Sequence, residues 1–256
     1  MIVLVTGADG VLGSRVCVRL AERSHTVRAA CPPDTAVPAA VTTVTCDLET
    51  GRGVADAVDG VDVVVHCATD PRRHRRVDRA GTENLVEAAA QVGRPHVVYA
   101  GLVGADLVPD PYFRSRKAAE ETVTRSGLAW SILRSTEFHQ TLWESMARRA
   151  RWPVMVVPAG MRHQPIDPDA VARRLVDLVE EGPMGRLPDI GGPRVYEATA
   201  LAGSYLAATG LRRLVVAVNR PGIAGAALRA GANLAVDRVT DGAGWNEFVA
   251  EMMEAA

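Results

Sequence analysis

The chain has 256 residues, 48% of them hydrophobic, with 29 Lys and Arg against 30 Asp and Glu and a formal net charge of -1. That balance gives no electrostatic case for nucleic acid or an anionic membrane, no apolar run reaches bilayer-spanning length, and four cysteines do not make a disulfide framework in a chain of this size. A substantial core, a small-molecule partner and a cytoplasmic location are expected.

Ile2 to Val5 is uniformly apolar and β-branched, without alternation, which suits a strand buried on both faces of a parallel sheet. Gly7, Gly10 and Gly13 follow, and Val16, Leu20 and Ala21 then repeat at helical spacing, so the chain passes from strand through a tight turn into a helix. Glycine at these places allows a turn with positive φ, a close backbone approach to a pyrophosphate and tight helix-to-strand packing, while the helix N-terminus presents unpaired N–H groups to an anion. The spacing GxxGxxG in this context predicts dinucleotide binding by Gly7, Asp9, Gly10, Val11, Leu12 and Gly13.

Thr26 to Cys31 reads as a second strand, ending in Pro32, Pro33 and Asp34, where neither an acidic residue for a ribose hydroxyl nor a basic one for a 2′-phosphate is in place. Arg15 and Arg28 are either phosphate partners or solvated arginines, and the choice between NAD and NADP stays open. Val41 to Cys46 is a third strand, with Asp47 and Leu48 placed to hold and cover an adenine. Gly60 to Ala68 contains a fourth, and the basic run Pro71 to Arg79 is either the mouth of an anion site or a solvated helix start. Cys31, Cys46 and Cys67 each close a strand on one edge, at spacings that match no metal motif.

A helix is predicted over Thr82 to Val92, a fifth strand over His96 to Ala100, a helix from Arg116 to Ser126 and a sixth strand over Leu128 to Arg134. Six strands alternating with helices predict an α/β, Rossmann-like doubly wound parallel sheet with right-handed crossovers. Residues 1–136 form this core. Residues 137–256 are predicted to combine a small substrate lobe with segments that return to the core, and not to be an independent domain. They comprise a helix from Glu137 to Arg151, an extended run from Trp152 to Pro158, a helix capped by Asp167 and Pro168, a helix over Ala198 to Ala208, a strand over Leu214 to Val218 and helices near Ala224 to Arg229 and Trp245 to Met253.

Val5 to Gly13, Cys46-Asp-Leu48, Gly60 to Ala68, Gly81 to Leu85, His96 to Tyr99, Pro111 to Arg116, Gly127 to Arg134 and Gln164 to Asp167 together make the chain resemble the atypical short-chain dehydrogenase/reductases, above all the NmrA-like NAD(P)-binding branch. The resemblance covers about two thirds of the chain. It implies NADP or NAD across the carboxyl edge of the sheet, with Cys31, Asp47 and Leu48 toward the adenosine, Cys67, Ala68 and Thr69 at the far ribose, and Ser135, Thr136 and the following residues to Phe138 at the nicotinamide. It favours NADP slightly, although Pro32 stands where that branch usually carries an arginine. A homodimer is a further possibility.

The resemblance also implies a serine, tyrosine and lysine acting together. Here the serine position falls on Ala100 or Gly101, Tyr112 matches the tyrosine, and Arg116 stands four residues on, with Lys117 one place late and turned by roughly 100°. Tyr112 is either the proton donor or an aromatic packed at a helix start. Gly101, Phe138, His139, Trp143 and His163 are the expected substrate pocket. The expected activity is NAD(P)(H)-dependent reduction of a small or medium apolar carbonyl, enone or quinone. Two alternatives stay open: a non-catalytic redox sensor, or non-redox chemistry based on His66, His139 or His163.

Overall fold

The computed structural model describes residues 1–31, 41–240 and 242–255; the predicted strand end at Pro32, Pro33 and Asp34 lies outside them. The chain forms β1 (Ile2–Thr6), α1 (Val11–Glu22), β2 (Thr26–Cys31), β3 (Thr42–Thr45), α2 (Val54–Val58) and β4 (Val63–His66). After a short π-helical stretch at Arg75–Ala80 come α3 (Gly81–Gln91), β5 (His96–Leu102), α4 (Pro111–Arg125) and β6 (Trp130–Ser135). The second half contributes α5 (His139–Arg149), β7 (Val154–Pro158), β8 (Arg162–His163), α6 (Pro168–Glu181), β9 (Gly185–Arg186), β10 (Tyr196–Glu197), α7 (Ala198–Thr209), β11 (Leu214–Val218), α8 (Gly222–Arg229) and α9 (Trp245–Glu254).

Among the described residues the main sheet has seven parallel strands in the order β3-β2-β1-β4-β5-β6-β9. The seventh strand was not expected: Gly185 and Arg186 pair with Ser131 and Ile132 after α6 brings the chain back to the sheet. With only two residues it carries no hydrophobic pattern of its own. Apolar side chains on alternate faces of β1, β4 and β5 enter two separate cores: Val3, Val5, Val65 and Val98 pack under α1 and α6, whereas Leu4, Val64, Val97 and Tyr99 pack under α2, α3 and α4. This is the doubly wound arrangement, and its strand order reverses between β1 and β4, where such sheets open a crevice at their carboxyl ends.

A third core gathers Leu142 and Met146 of α5, Met155 and Val157 of β7, Leu201 and Tyr205 of α7, and Trp245 and Phe248 of α9. A parallel pair, β7 with β11, and an antiparallel pair, β8 with β10, belong to this second half. Gln164 ties separate segments of this half together, its amide nitrogen donating to Gly192 O at 2.8 Å and its oxygen accepting from Ala235 N at 2.8 Å. No described helix is long and apolar enough to cross a membrane.

Candidate active site

β1 delivers the chain to Gly7, whose φ of 64° is the left-handed conformation that glycine adopts without strain. A Cβ here would lie 2.7 Å from Ala68 Cα, so the glycine turn and the exit of β4 meet backbone to backbone at the switch point. At Gly13 a Cβ would fall 2.1 Å from Gly7 O, which fixes glycine as the residue that lets α1 start so close to the strand. Gly10 N donates to Gly7 O at 3.0 Å, closing the turn. Gly10 itself caps α1 with no side-chain acceptor, so the first N–H groups of the helix are left for an anion. Asp9 and Gly10 are exposed at the tip, Val11 is half-buried, and Leu12 roots the loop in the core. The cradle fits a dinucleotide pyrophosphate: a bare helix end, and backbone approaches that a side chain would block.

Around it, Cys31 ends β2 in the core, and Asp47 and Leu48 follow β3. The Asp47 carboxylate accepts from Thr50 Oγ1 at 2.8 Å and Glu49 N at 2.9 Å, and these bonds hold its pKa below the ordinary carboxylate range. Leu48 lies against Gly81 at the start of α3. Arg28 is drawn toward the far end of α2, where its Nη1 donates to Ala57 O and Asp59 O. Arg15 donates to Val11 O of its own helix at 2.6 Å.

The Pro71 to Arg79 run does more than present solvated arginines. Its single acid, Asp78, is fully buried and gathers the site. Thr69 Oγ1 donates to Asp78 Oδ1 at 2.6 Å, and Arg116 Nη1 donates to the same oxygen at 3.0 Å. The Tyr112 hydroxyl lies 3.1 Å from Thr69 Oγ1; since the threonine proton is on Asp78, the phenol is the donor in this pair. Arg116 also donates to Ala100 O at the end of β5 and spreads its guanidinium over the Tyr99 ring, 4.9 Å from the centroid. Burial pushes the Tyr112 phenol up and the Arg116 charge pulls against it, with a net rise above the ordinary value, so the hydroxyl keeps its proton at neutral pH. The helix α4 begins at Pro111, five residues before the predicted start, and so places Tyr112 and Arg116 one turn apart on one helix. Lys117 points elsewhere, pairing with Glu121 at 3.9 Å.

Gly101 does not face this cluster. A Cβ there would meet Arg134 Cγ and Glu120 Oε1, each at 2.8 Å, so the position is reserved for the buried Arg134–Glu120 pair and admits no serine. Ser135 and Thr136 end β6; Thr136 N donates to Ile190 O at 3.1 Å and its hydroxyl to Gln164 O at 2.6 Å. Phe138 bridges to Ile166 and packs on the core beneath α1 and α6. Beside Gly101, two further predicted pocket residues go elsewhere. Trp143 packs on Tyr205 at 4.6 Å between ring centroids, and His139 stacks on Phe248 at 5.1 Å, both within the third core. His66 is buried, with Nδ1 2.6 Å from Thr6 Oγ1 and Nε2 2.9 Å from Thr82 Oγ1, so neither nitrogen is left for a substrate. Cys67 and Ala68 line the exit of β4, and burial pushes the Cys67 thiol up, so it keeps its proton at neutral pH. His163 does reach the carboxyl end of the sheet, where its Nδ1 lies 2.7 Å from Glu137 Oε2. Sequence reading gave Glu137 only as part of the stretch from Ser135 to Phe138 and passed over Asp78 and Thr69's link to Tyr112; a lone acid inside five arginines was the one visible signal for Asp78.

A glycine turn and a bare helix end meeting at the switch point of a doubly wound sheet define a Rossmann dinucleotide-binding protein. The chain belongs to the NAD(P)H-binding family, which it matches over residues 7–182. Over 112 residues, 38% of this chain, it is 38% identical to a 3-beta-hydroxysteroid dehydrogenase of Mycolicibacterium neoaurum; that match spans 31% of the relative's length, about a third. The fold resembles that of the NADPH-dependent quinone oxidoreductase of Escherichia coli in complex with NADPH, with a TM-score of 0.77, 16% identity and coverage of 98% of this chain and 99% of that one. It also resembles the UDP-glucose 4-epimerase of Thermus thermophilus in complex with NAD, with a TM-score of 0.76, 21% identity and coverage of 99% and 98%.

Proposed function

We propose that this chain is an NAD(P)(H)-dependent oxidoreductase acting on a small or medium, fairly apolar carbonyl, enone or quinone, with Tyr112 as its proton donor. The observation that carries the reading is the chain of contacts from Tyr112 through Thr69 to Asp78 and Arg116, at the sheet edge beside the glycine turn. When bound, the nicotinamide supplies a hydride to the substrate or takes one from it. Tyr112 holds a proton at Oη and passes it to the oxygen on which negative charge develops, a step worth roughly 10²- to 10⁴-fold. Arg116, one turn away, stabilises the phenolate that remains until solvent reprotonates it, and Thr69, held by Asp78, keeps the phenol oxygen in place. The planar guanidinium is not a copy of an ammonium group, and no hydroxyl stands at Ala100 or Gly101, so orientation of substrate carries more of the catalysis than in the full serine, tyrosine and lysine set.

The same departures favour a second reading, a sensor that binds oxidised and reduced dinucleotide with different affinities and performs no turnover. A thermal-shift titration with NADPH, NADP, NADH and NAD, followed by a screen of quinones and enones for dinucleotide oxidation, separates the two. A ligand at about 100 times its Kd stabilises the fold by roughly 2.7 kcal/mol, about 5 to 10 °C in Tm for this chain length. Turnover that falls at least 100-fold in Tyr112→Phe with dinucleotide shifts retained supports the oxidoreductase; full turnover in that variant removes Tyr112 from its role. Unequal shifts without any turnover favour the sensor.

A further inference from the structure

Close enough to Tyr112 for its charge to be felt there, Glu137 forms with His163 a second polar pair that has no hydrogen bond to the proton-donor chain. Glu137 lies in the connection from β6 to α5, and its backbone is fixed on both sides: Ile166 N donates to Glu137 O at 2.9 Å, Thr136 N to Ile190 O at 3.1 Å and His139 N to Ile166 O at 3.2 Å. The residue cannot drift from the carboxyl edge of the sheet. Its Oε2 is held by His163 Nδ1 at 2.7 Å, with His163 itself buried on β8, while about a third of the Glu137 side chain stays exposed. Among the described residues Oε1 makes no hydrogen bond. Burial pushes the carboxyl up, but His163 and Arg149 together pull it further down, so it is ionised at neutral pH; its charge in turn reaches Tyr112 and helps to keep that phenol protonated. A fixed carboxylate with one oxygen held by His163 and a third of its side chain exposed offers an acceptor to a ligand's donor.

We infer that Glu137, positioned by His163, is a substrate-recognition group that selects carbonyl compounds carrying a hydroxyl donor and rejects those carrying a second anionic group. The inference deepens the oxidoreductase reading and rests on it for the identity of the cleft as the substrate site. The carbonyl end meets Tyr112, and the hydroxyl end donates to Glu137 Oε1 in a charge-assisted bond, stronger than a neutral one. A carboxylate or phosphate at the same end meets like charge at a partly desolvated position instead. Arg149 is the cation that also faces Glu137, and its own donation to Val156 O at 2.8 Å holds it on the lobe side of the carboxylate.

Three probes of one shape decide the matter: acetophenone, 3-hydroxyacetophenone and 3-acetylbenzoate, titrated by calorimetry into the protein saturated with the oxidised dinucleotide that it binds most tightly. The wild-type protein is expected to bind the hydroxylated ketone roughly tenfold more tightly than acetophenone and the carboxylate at least tenfold more weakly. Glu137→Gln, nearly isosteric, is expected to bring both ratios to within about threefold of one, and His163→Gln to weaken the hydroxyl preference by leaving the carboxylate unheld. A wild-type ranking without preference overturns the inference whatever the variants do. So does a Glu137→Gln protein that keeps the wild-type ratios, or one that loses dinucleotide binding together with its preference, which assigns the carboxylate to the cofactor. Because these are binding ratios, they are read even if no carbonyl is turned over, the outcome that removes the oxidoreductase reading alone.

Discussion

His66 illustrates how a single residue in this site is committed to structure. Thr82 Oγ1 donates to Asp78 O, so it must accept from His66 Nε2–H, and Nδ1 accepts from Thr6. Burial, reinforced by the Arg116 charge, pulls its pKa down to about 3. The unfolded histidine titrates near 6.5. Between these values the unfolded chain takes up a proton that the native chain refuses, so stability present above pH 6.5 is lost progressively as pH falls and the loss is complete near pH 3, at up to about 1.4 kcal/mol per pH unit. His96 and His139, also held down by burial, act with the same sign. Urea unfolding of wild type and His66→Gln at pH 7, 6 and 5 isolates the one residue: the variant is expected to lose less stability on acidification than wild type. Equal slopes in the two proteins remove His66 as the sensitive group.

At the scale of elements, the proposed proton donor Tyr112 depends on how its helix begins. Asp110 caps α4 by accepting from Tyr112 N at 2.9 Å, and its other oxygen accepts from Arg220, in the segment between β11 and α8, at 2.8 Å. One side chain therefore fixes the first turn and ties it to the second half of the chain. Asp110→Ala is expected to cost about 1 kcal/mol, a drop of roughly 2 to 4 °C in Tm, and to lower turnover by less than Tyr112→Phe does; Asp110→Asn keeps the cap and recovers most of both. If Asp110→Ala matches wild type in melting and turnover, the cap has no hold on Tyr112.

The legibility of such elements in sequence was uneven for physical reasons. β1, α1 and the glycine turn were plain, because an all-buried strand and an amphipathic helix write opposite periodicities on either side of three glycines. The start of α4 was missed by five residues, since Pro109 and Pro111 read as a turn although proline is at home in a helix's first turn. The stretch at Arg75–Ala80 was opaque: its arginines dominate the composition, while its structural weight rests on Asp78, whose partners Thr69 and Arg116 stand 9 and 38 residues away, outside any helical or strand repeat. Glu137 and His163 meet only because β8 returns to the end of β6, a contact that no local pattern records.

For the whole molecule, the decisive property is how the third core is coupled to the sheet. Trp245 is fully buried there, donates to Ser204 Oγ at 3.0 Å and touches His139, Trp143 and Phe248 through its ring. The same half sends α6 back to pack on α1, with Arg19 paired to Asp169 and Arg23 to Asp177 and Glu180, and sends β9 back to β6. Gly104 carries a φ of 86° and leaves no room for a Cβ, which would sit 2.4 Å from Ala232 O, so the end of the β5 loop is closed by the segment after α8. With this many returns, we expect the second half to unfold with the sheet and not as a separate unit. Trp245→Ala removes a buried ring at a cost of about 3 to 5 kcal/mol, a loss of roughly 6 to 20 °C in Tm. Calorimetry of that variant is expected to give one transition, displaced downward and raised again by saturating dinucleotide although the substitution lies outside the glycine cradle. Two resolved transitions, with only the upper one responding to dinucleotide, make the third core a domain of its own.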